Sequence, residues 1–344
     1  MRRIHVMAAV IRDPQRRILI AKRPDNAHQG GLWEFPGGKL EADETRLNGL
    51  RRELKEELGI TVISARPLID LQHDYTDKQI RLDVWEVSSF SGDAHGAEGQ
   101  PVRWVTEQQL NDFSFPAANQ PIVTAAQLPD RYLVTPGLDE PDVLDGIGRA
   151  VAAGMRLIQL HQTQLDDARY RALCEQVMAR WGDQAIFMLK GDQAPVMEGA
   201  GWHLTAAQLR EFAQQPTPVR PLPEHRWLAD SCHNAEELQM AEALGVDFVT
   251  LSPVLPTQTH PDALPLGWEQ AHALLTRCRL PAYLMGGLTL AELNTAHHAG
   301  AQGIAAIRGL WPSTQVAVGT AVTCRPPHRS VRAELPHTAP ASGM

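Results

Sequence analysis

The stretch Gly38-Lys-Leu-Glu-Ala-Asp-Glu44-Thr-Arg-Leu-Asn-Gly-Leu-Arg-Arg52-Glu53-Leu-Lys-Glu56-Glu57-Leu-Gly59-Ile60 fits the pattern G-x5-E-x7-R-E-U-x-E-E-x-G-U, with U a bulky aliphatic, at every position. Seven fixed residue types, each at roughly 6% of average usage, coincide by chance at about one start position in 10^8 to 10^9. From Glu44 to Leu58 the stretch reads as a helix, because Leu47, Leu50, Leu54 and Leu58 form an apolar stripe at intervals of three and four. Gly59 reads as its left-handed stop. Gly49 inside it costs on the order of 1 kcal/mol relative to alanine.

The spacing has a chemical reason. Glu53, Glu56 and Glu57 fall at i, i+3 and i+4, so their carboxylates converge on one helix face. Like charges so placed repel, and a solvated helix gains nothing from them. A hard divalent cation removes the repulsion, since Mg2+ takes carboxylate and phosphate oxygens and keeps several waters. Arg52, directly before the cluster, can hold one carboxylate by a bidentate ion pair. Gly37-Gly38 ends the preceding extended segment and lets the backbone approach a phosphate with no Cβ in the way.

The pattern resembles the signature of the Nudix hydrolases, which cut nucleoside diphosphates linked to another group. Beyond it, the 344 residues are too many for one average domain and fit two. A charged fraction of 21% and a net charge of −8 give no basic footprint for DNA or RNA as a polymer. Cys174, Cys232, Cys278 and Cys324 are scattered, which suggests neither a disulfide framework nor a zinc site. The run Ile4–Ile11 is too short for a signal peptide or membrane span, so the expectation is a cytoplasmic protein that touches no membrane.

The organisation changes near residue 130. Residues 1–128 alternate short β-rich runs (Ile4–Ile11, Arg17–Ala21, Ile63–Asp74, Gln79–Phe90, Val102–Val105) with the single box helix, an α+β pattern. The resemblance implies a Nudix fold there, a mixed sheet between helices. Residues 131–311 carry eight strand-like runs separated by helical stretches, which predicts an α/β domain, a (β/α)8 TIM barrel. No convincing closing helix follows the eighth strand. The tail 312–344, rich in Pro, Thr, Ala and Ser, is expected to be disordered. The junction Gln120–Asp130 is short, so the two domains are expected to touch.

Residues 3–128 resemble the MutT-like 8-oxo-dGTP diphosphatases through Arg23-Pro-Asp-Asn-Ala-His28, Leu32-Trp-Glu34-Phe35-Pro36-Gly37-Gly38-Lys39, Glu98-Gly-Gln-Pro101 and Phe115-Pro-Ala-Ala-Asn119-Gln-Pro121. The resemblance implies that the carbonyl of Gly37 and the carboxylates of Glu53, Glu56, Glu57 and Glu98 hold Mg2+, or Mn2+ in its stead. Glu98 would be a further ligand or the base, and Glu53 is the other candidate base. It further implies that Arg23 meets the phosphates or sugar, that His28 lies along the same site, and that Glu34, Phe35, Pro36 and Gly37 line the purine with backbone groups. Asn119 would read the oxidised base. Each position has a plain alternative: Arg23 and Glu98 as solvated charges, His28 as a loop residue, Asn119 as a turn cap before Pro121. The reaction implied is attack of water on the β-phosphorus of a nucleoside triphosphate, releasing pyrophosphate, and in the cell it would lower mutation.

Residues 131–311 resemble the thiamine-phosphate synthase/TenI family through Leu157-Ile-Gln159-Leu160, Trp202-His203-Leu204, Ser231-Cys-His233-Asn234, Leu251-Ser-Pro253-Val-Leu-Pro256-Thr257-Gln-Thr259 and Met285-Gly286-Gly287-Leu288. Gly286-Gly287 and the turn at Arg308 stand where a barrel binds phosphate, so a thiazole phosphate or related ligand is a candidate. The departures are instructive. His161 and Thr163 replace an expected Arg and Lys, and Lys190-Gly191-Asp192 replaces an Asn-Asp metal pair. Thr205-Ala-Ala-Gln-Leu lacks an expected acid, and His260 replaces a Lys. A pyrophosphate leaving group would lack its counter-charges, so no synthase activity is expected. His233 matches the TenI acid/base histidine; it is open as a catalyst, as a structural residue, or as part of a site that only binds. Two readings remain: a nucleotide-sanitising hydrolase with an appended barrel, or a thiamine-pathway protein whose Nudix half cuts a related pyrophosphate.

Overall fold

The computed structural model describes residues 3–26, 29–74, 79–258 and 261–312. His28, Thr259, His260 and the tail expected to be disordered lie outside them. The first sheet is built on β1 (Arg3–Arg12), in which Met7, Ala9 and Ile11 face one side and Ala8 and Val10 the other, all buried. Burial of both faces follows from the period of two along a strand lined by apolar residues throughout. Antiparallel to β1 runs β2 (Ile18–Lys22), which also pairs with the two-residue β3 (Trp33–Glu34). Then come α1 (Arg46–Leu58) and the long hairpin of β4 (Thr61–Asp74) and β5 (Gln79–Ser91), with β5 parallel to β1. Strand β6 (Val102–Val105) pairs with β2, completing a six-stranded mixed sheet.

Helix α1 covers the Met7 face through Leu50, Leu54 and Leu58. The opposite face packs on α2 (Gln120–Gln127) through Ile122, Val123, Ala125 and Ala126. The sheet is thus held between helices, as the Nudix resemblance implied. The segment expected to be a plain junction is in large part α2, a helix whose Pro121 sits in its first turn. Gly49 has a packing reason that the propensity argument overlooked, since a β-carbon there would lie 2.4 Å from Leu40 Cδ1.

The second part alternates β7 (Arg131–Val134), α3 (Glu140–Ala152), β8 (Leu157–Leu160), α4 (Asp167–Trp181), β9 (Ile186–Leu189), β10 (Gly201–Leu204), α5 (Ala206–Ala213), β11 (Leu228–Cys232), α6 (Ala235–Leu244), β12 (Phe248–Leu251), α7 (Gly267–Leu275), β13 (Ala282–Met285), α8 (Leu293–His298) and β14 (Gly303–Ala306). The eight strands, all parallel, close into a barrel. Its interior is filled by Tyr132, Leu157, Met188, Ala229, Phe248, Tyr283 and Ala305, while the alternate residues pack outward against the helices. After β14, Trp311 lies over Gly146 of α3, where a β-carbon would come within 1.9 Å of its ring. That indole covers α3 where a closing helix was looked for.

The two parts meet at the N-terminal end of the barrel. Gln302 donates to the carbonyls of Ala125 (3.0 Å) and Leu128 (2.9 Å), and Tyr283 Oη donates to Pro129 O at 2.5 Å. Leu128 belongs to the barrel's interior cluster. The C-terminal mouth of the barrel, where such folds keep their chemistry, is therefore the open end.

Candidate active site

Thr45 caps α1 by accepting from Asn48 N, and Gly59 ends the helix at φ 72° with its N–H on Lys55 O. The helix is thereby pinned with Glu53, Glu56 and Glu57 toward the Gly37-Gly38 bend. Gly37 N donates to Glu57 Oε2 at 2.7 Å. A β-carbon at Gly37 would lie 2.1 Å from Met7 O, and one at Gly38 2.1 Å from Glu53 Oε2. The two glycines thus make room for strand β1 and for a box carboxylate, whereas the sequence suggested room for phosphate alone.

Arg52 makes its bidentate pair with Glu44, at 2.8 Å to each oxygen, and reaches Glu53 at 2.8 Å and Glu56 at 3.2 Å through Nη1. Glu44 is the residue that sequence reasoning left out of the site, although its fixed place in the box was the available signal. It anchors the arginine that in turn positions Glu53. A second anchor is Asp83, fully buried, which accepts from Arg46, His5 and Trp85; its partners hold the carboxyl below the usual carboxylate range despite burial.

Residues 97–100 are tied to the end of α1: Ala97 N donates to Glu57 O at 2.9 Å, as does Gln100 Nε2 at 3.0 Å. Glu98 is brought beside the box in this way. Burial pushes the Glu57 carboxyl up to about 7, and the neighbouring Glu34 and Glu98 add to the rise while Gly37 N–H and Gln100 oppose it. Glu34 is raised too, by burial above all, against the pull of Arg23. Arg23 pairs directly with Glu34 from the adjacent strand. Glu56 is the outlier, with its side chain 58% exposed. Among the described residues no three His, Cys, Asp or Glu side chains close into a metal cage. The donor set nonetheless suits a hard cation, because Glu53, Glu57 and Glu98 bring carboxylate oxygens together at the Gly37-Gly38 bend.

The side chain of Phe35 is core, stacked on Phe115 at 5.4 Å, and the Pro36 carbonyl accepts from Ala9 N at 2.8 Å. These contacts, with Trp33 N on Ser114 O at 2.9 Å, lay residues 113–119 beside Glu34–Gly37. Asn119 is half-buried at the start of α2 and makes no side-chain cap there.

In the barrel, His233 follows β11. Its Nδ1 and backbone N both meet Glu237 Oε2 (2.9 and 2.7 Å), and Glu237 is paired with Arg210 at 2.7 Å. The ring is thus oriented, with about half its surface open at the mouth. Gly286 and Gly287 turn at φ 100° and 68°, where β-carbons would meet Pro253 and Pro256 O. Arg308, exposed, bonds Gln258. Inside, the fully buried His203 bridges Tyr132 Oη (2.8 Å) and Ser231 Oγ (2.9 Å), and burial holds it neutral, near 3. Sequence reasoning had used His203 only as part of a matching tripeptide.

Residues 7–125 match the NUDIX domain family and residues 131–310 the thiamine monophosphate synthase family. The first part is 37% identical over 123 residues to the 8-oxo-dGTP diphosphatase of Escherichia coli (strain K12), covering 36% of this chain and 95% of that protein. It is 36% identical over 125 residues to the CTP pyrophosphohydrolase of the same organism, covering 36% of this chain and 92% of that protein. The barrel is 28% identical over 195 residues to the thiamine-phosphate synthase of Nostoc punctiforme, covering 54% of this chain and 52% of that protein. No helix among the described residues is long and apolar enough to cross a membrane. The chain belongs to the Nudix hydrolases through its first part and to the thiamine monophosphate synthase family through its barrel.

Proposed function

We propose that the chain hydrolyses nucleoside triphosphates to the monophosphate and pyrophosphate, with 8-oxo-dGTP as its preferred substrate and Mg2+ as its cofactor. The observation that carries the reading is the convergence of the Glu53, Glu57 and Glu98 carboxylates on the Gly37-Gly38 bend. Glu53, Glu56, Glu57, Glu98 and the Gly37 carbonyl would hold the divalent ion, with Mn2+ as a substitute. When bound, such an ion neutralises phosphoryl oxygens and lowers the pKa of a coordinated water.

The chain's own residues do the rest. Arg52, fixed by Glu44, orients Glu53. The proton of the attacking water passes to a carboxylate, Glu53 or Glu98, as the water's oxygen bonds to the β-phosphorus and the bond from that phosphorus to the α–β bridging oxygen breaks, the oxygen leaving on the nucleoside monophosphate. Arg23 meets the anionic end of the nucleotide by exchanging its partner Glu34 for phosphate or sugar. Asn119, free of capping duty, offers one acceptor and two donors to the base. His28 is assigned to the same site on the resemblance alone. The 8-oxo-dGTP preference rests on the Phe115–Asn119 segment and on the diphosphatase relatives. Such an enzyme removes oxidised precursor before it is copied into DNA, with no contact to nucleic acid as a polymer.

For the barrel we propose no synthase activity, since His161, Thr163 and Lys190 stand where the synthase pattern places other groups. The favoured role is retention of a thiazole phosphate or related ligand between His233, Gly286-Gly287 and Arg308. The alternative, in which the Nudix half serves a thiamine-related pyrophosphate, is favoured only by the presence of the barrel. A hydrolysis screen of the full chain with Mg2+ over 8-oxo-dGTP, dGTP, CTP and thiamine diphosphate decides between them. Pyrophosphate release fastest from 8-oxo-dGTP is expected, and preference for thiamine diphosphate would overturn the assignment.

A further inference from the structure

Between residues 131 and 312 the chain carries twelve arginines and a single lysine, Lys190. Arginine stays charged wherever it stands, whereas a lysine amine can give up its proton when desolvated and act as a nucleophile. The position of this one lysine therefore matters. Met188 lies in the barrel's interior cluster and Leu189 in the outer one, so by alternation Lys190 turns inward, at the C-terminal end of β9. The same alternation, from Leu157 inside and Leu160 outside, turns His161 inward from β8. Leu160 pairs with Leu189, and Leu189 with Trp202, so His161, Lys190 and His203 stand in one row across three adjacent strands at the mouth. Neighbouring strands lie about 4.8 Å apart, which puts the three side chains within reach of one another.

From the position of Lys190 in this row we propose that the barrel mouth is a second active site, in which the Lys190 amine forms an imine with a small anionic aldehyde or ketone. The step balances. The amine nitrogen bonds to the carbonyl carbon, the C=O π bond breaks, and the oxygen leaves as water. A protonated imine remains in place of the ammonium. His161 takes a proton from the attacking nitrogen and returns it to the leaving hydroxyl. Burial and the nearby Lys190 keep the His161 ring below its ordinary pKa, so it accepts protons at neutral pH. Burial likewise lowers the Lys190 ammonium, against the opposing pull of Asp230 on β11. Asp230 offers little counter-charge, because its own carboxyl is buried without a hydrogen-bond partner and pushed up to about 9. His203 faces the row as a neutral ring held by Tyr132 and Ser231. Lys190 itself is half-buried, so the mouth leaves it reachable. An anionic group on the ligand is suggested by the exposed Arg308 guanidinium after β14 at the same end of the barrel.

The test uses the full chain, pyridoxal 5′-phosphate as probe and cyanoborohydride to trap the imine, with the rate at each lysine read by peptide mass spectrometry. Lys22, Lys39 and Lys55 serve as internal references. Lys190 should be modified about tenfold faster than any of them at pH 7.5, since a desolvated amine is the readier nucleophile; equal rates overturn the proposal. Unphosphorylated pyridoxal is run in parallel. A phosphate preference at Lys190 beyond that at the reference lysines supports an anionic ligand, and the same ratio everywhere overturns that part. His161→Asn should slow modification at Lys190 alone, and an unchanged rate removes His161 from the step. The comparison within the unmodified wild type decides the main claim even if the variant does not fold.

Discussion

Replacing Glu57 by Gln should strengthen the metal-free fold while it destroys turnover, and the two effects have one cause. Burial, with Glu34 and Glu98 nearby, lifts the Glu57 carboxyl from an ordinary 4.5 to about 7. Below pH 4.5 the group is protonated in both folded and unfolded chains and contributes nothing. Between 4.5 and 7 the unfolded chain loses the proton while the folded one keeps it, so stability falls as the pH rises. Above 7 the loss is complete; a displacement to about 7 amounts to about 3 kcal/mol at ~1.4 kcal/mol per pH unit. Glutamine carries no charge to desolvate and keeps an oxygen for Gly37 N–H, which now donates at 2.7 Å. Calorimetry in EDTA should therefore show the variant's first-part transition moving above wild type by roughly 6–12 °C at pH 8, with little difference at pH 4.5. Adding Mg2+ should stabilise wild type far more than the variant, and pyrophosphate release should drop by orders of magnitude. A stability difference that does not change with pH, or wild-type turnover of E57Q at saturating Mg2+, refutes the reasoning.

Three further outcomes are expected. Asn119→Ala should raise KM for 8-oxo-dGTP more than for dGTP, by the ~1–3 kcal/mol that one buried hydrogen bond carries; equal losses on both substrates would make Asn119 a loop-positioning residue. The full chain should make no thiamine phosphate from pyrimidine pyrophosphate and thiazole phosphate, and complementation of a synthase-deficient strain at ordinary expression would show the opposite. Gln302→Leu strips the donors from two buried carbonyls and should cost about 2 kcal/mol in denaturant titration, since Gln302 Oε1, itself without a partner, loses nothing; an unchanged midpoint would mean that water replaces the amide.

The sequence was most legible where one local pattern carried both structure and chemistry. Leu50, Leu54 and Leu58 are buried as their spacing required, and Gly59 stops the helix in the left-handed conformation. The barrel strands were legible as eight short apolar runs, and eight strands close the barrel. Four things were hidden. Helix α2 was overlooked because eight residues with a proline in the first turn give too short a period to recognise. Glu44's role depends on the fold of α1 against the preceding loop, which returns Arg52 to it. The His161–Lys190–His203 row is spread over more than 40 positions of sequence, and only strand register brings it together. The pairing of Arg23 with Glu34 was also unforeseen, since it joins the residue after β2 to a strand only two residues long.

The seam between the two parts has a consequence in time as well as in space. During synthesis the first part leaves the ribosome long before the barrel, at ~5–20 residues per second. At the end of α2 the Leu128 carbonyl then waits for Gln302, 174 residues further along the chain, while Ala125 O already accepts from Leu128 N and gains Gln302 as a second donor. Asp130 O likewise waits for Ile304 N. Helix α2, with Asn119 at its N-cap position, is therefore left with a frayed C-terminal end until the last barrel strand is made. The end of α2 is then ordered only on completion of the barrel, and nascent chains truncated before residue 302 should exchange the α2 amides quickly even where the first sheet is already protected.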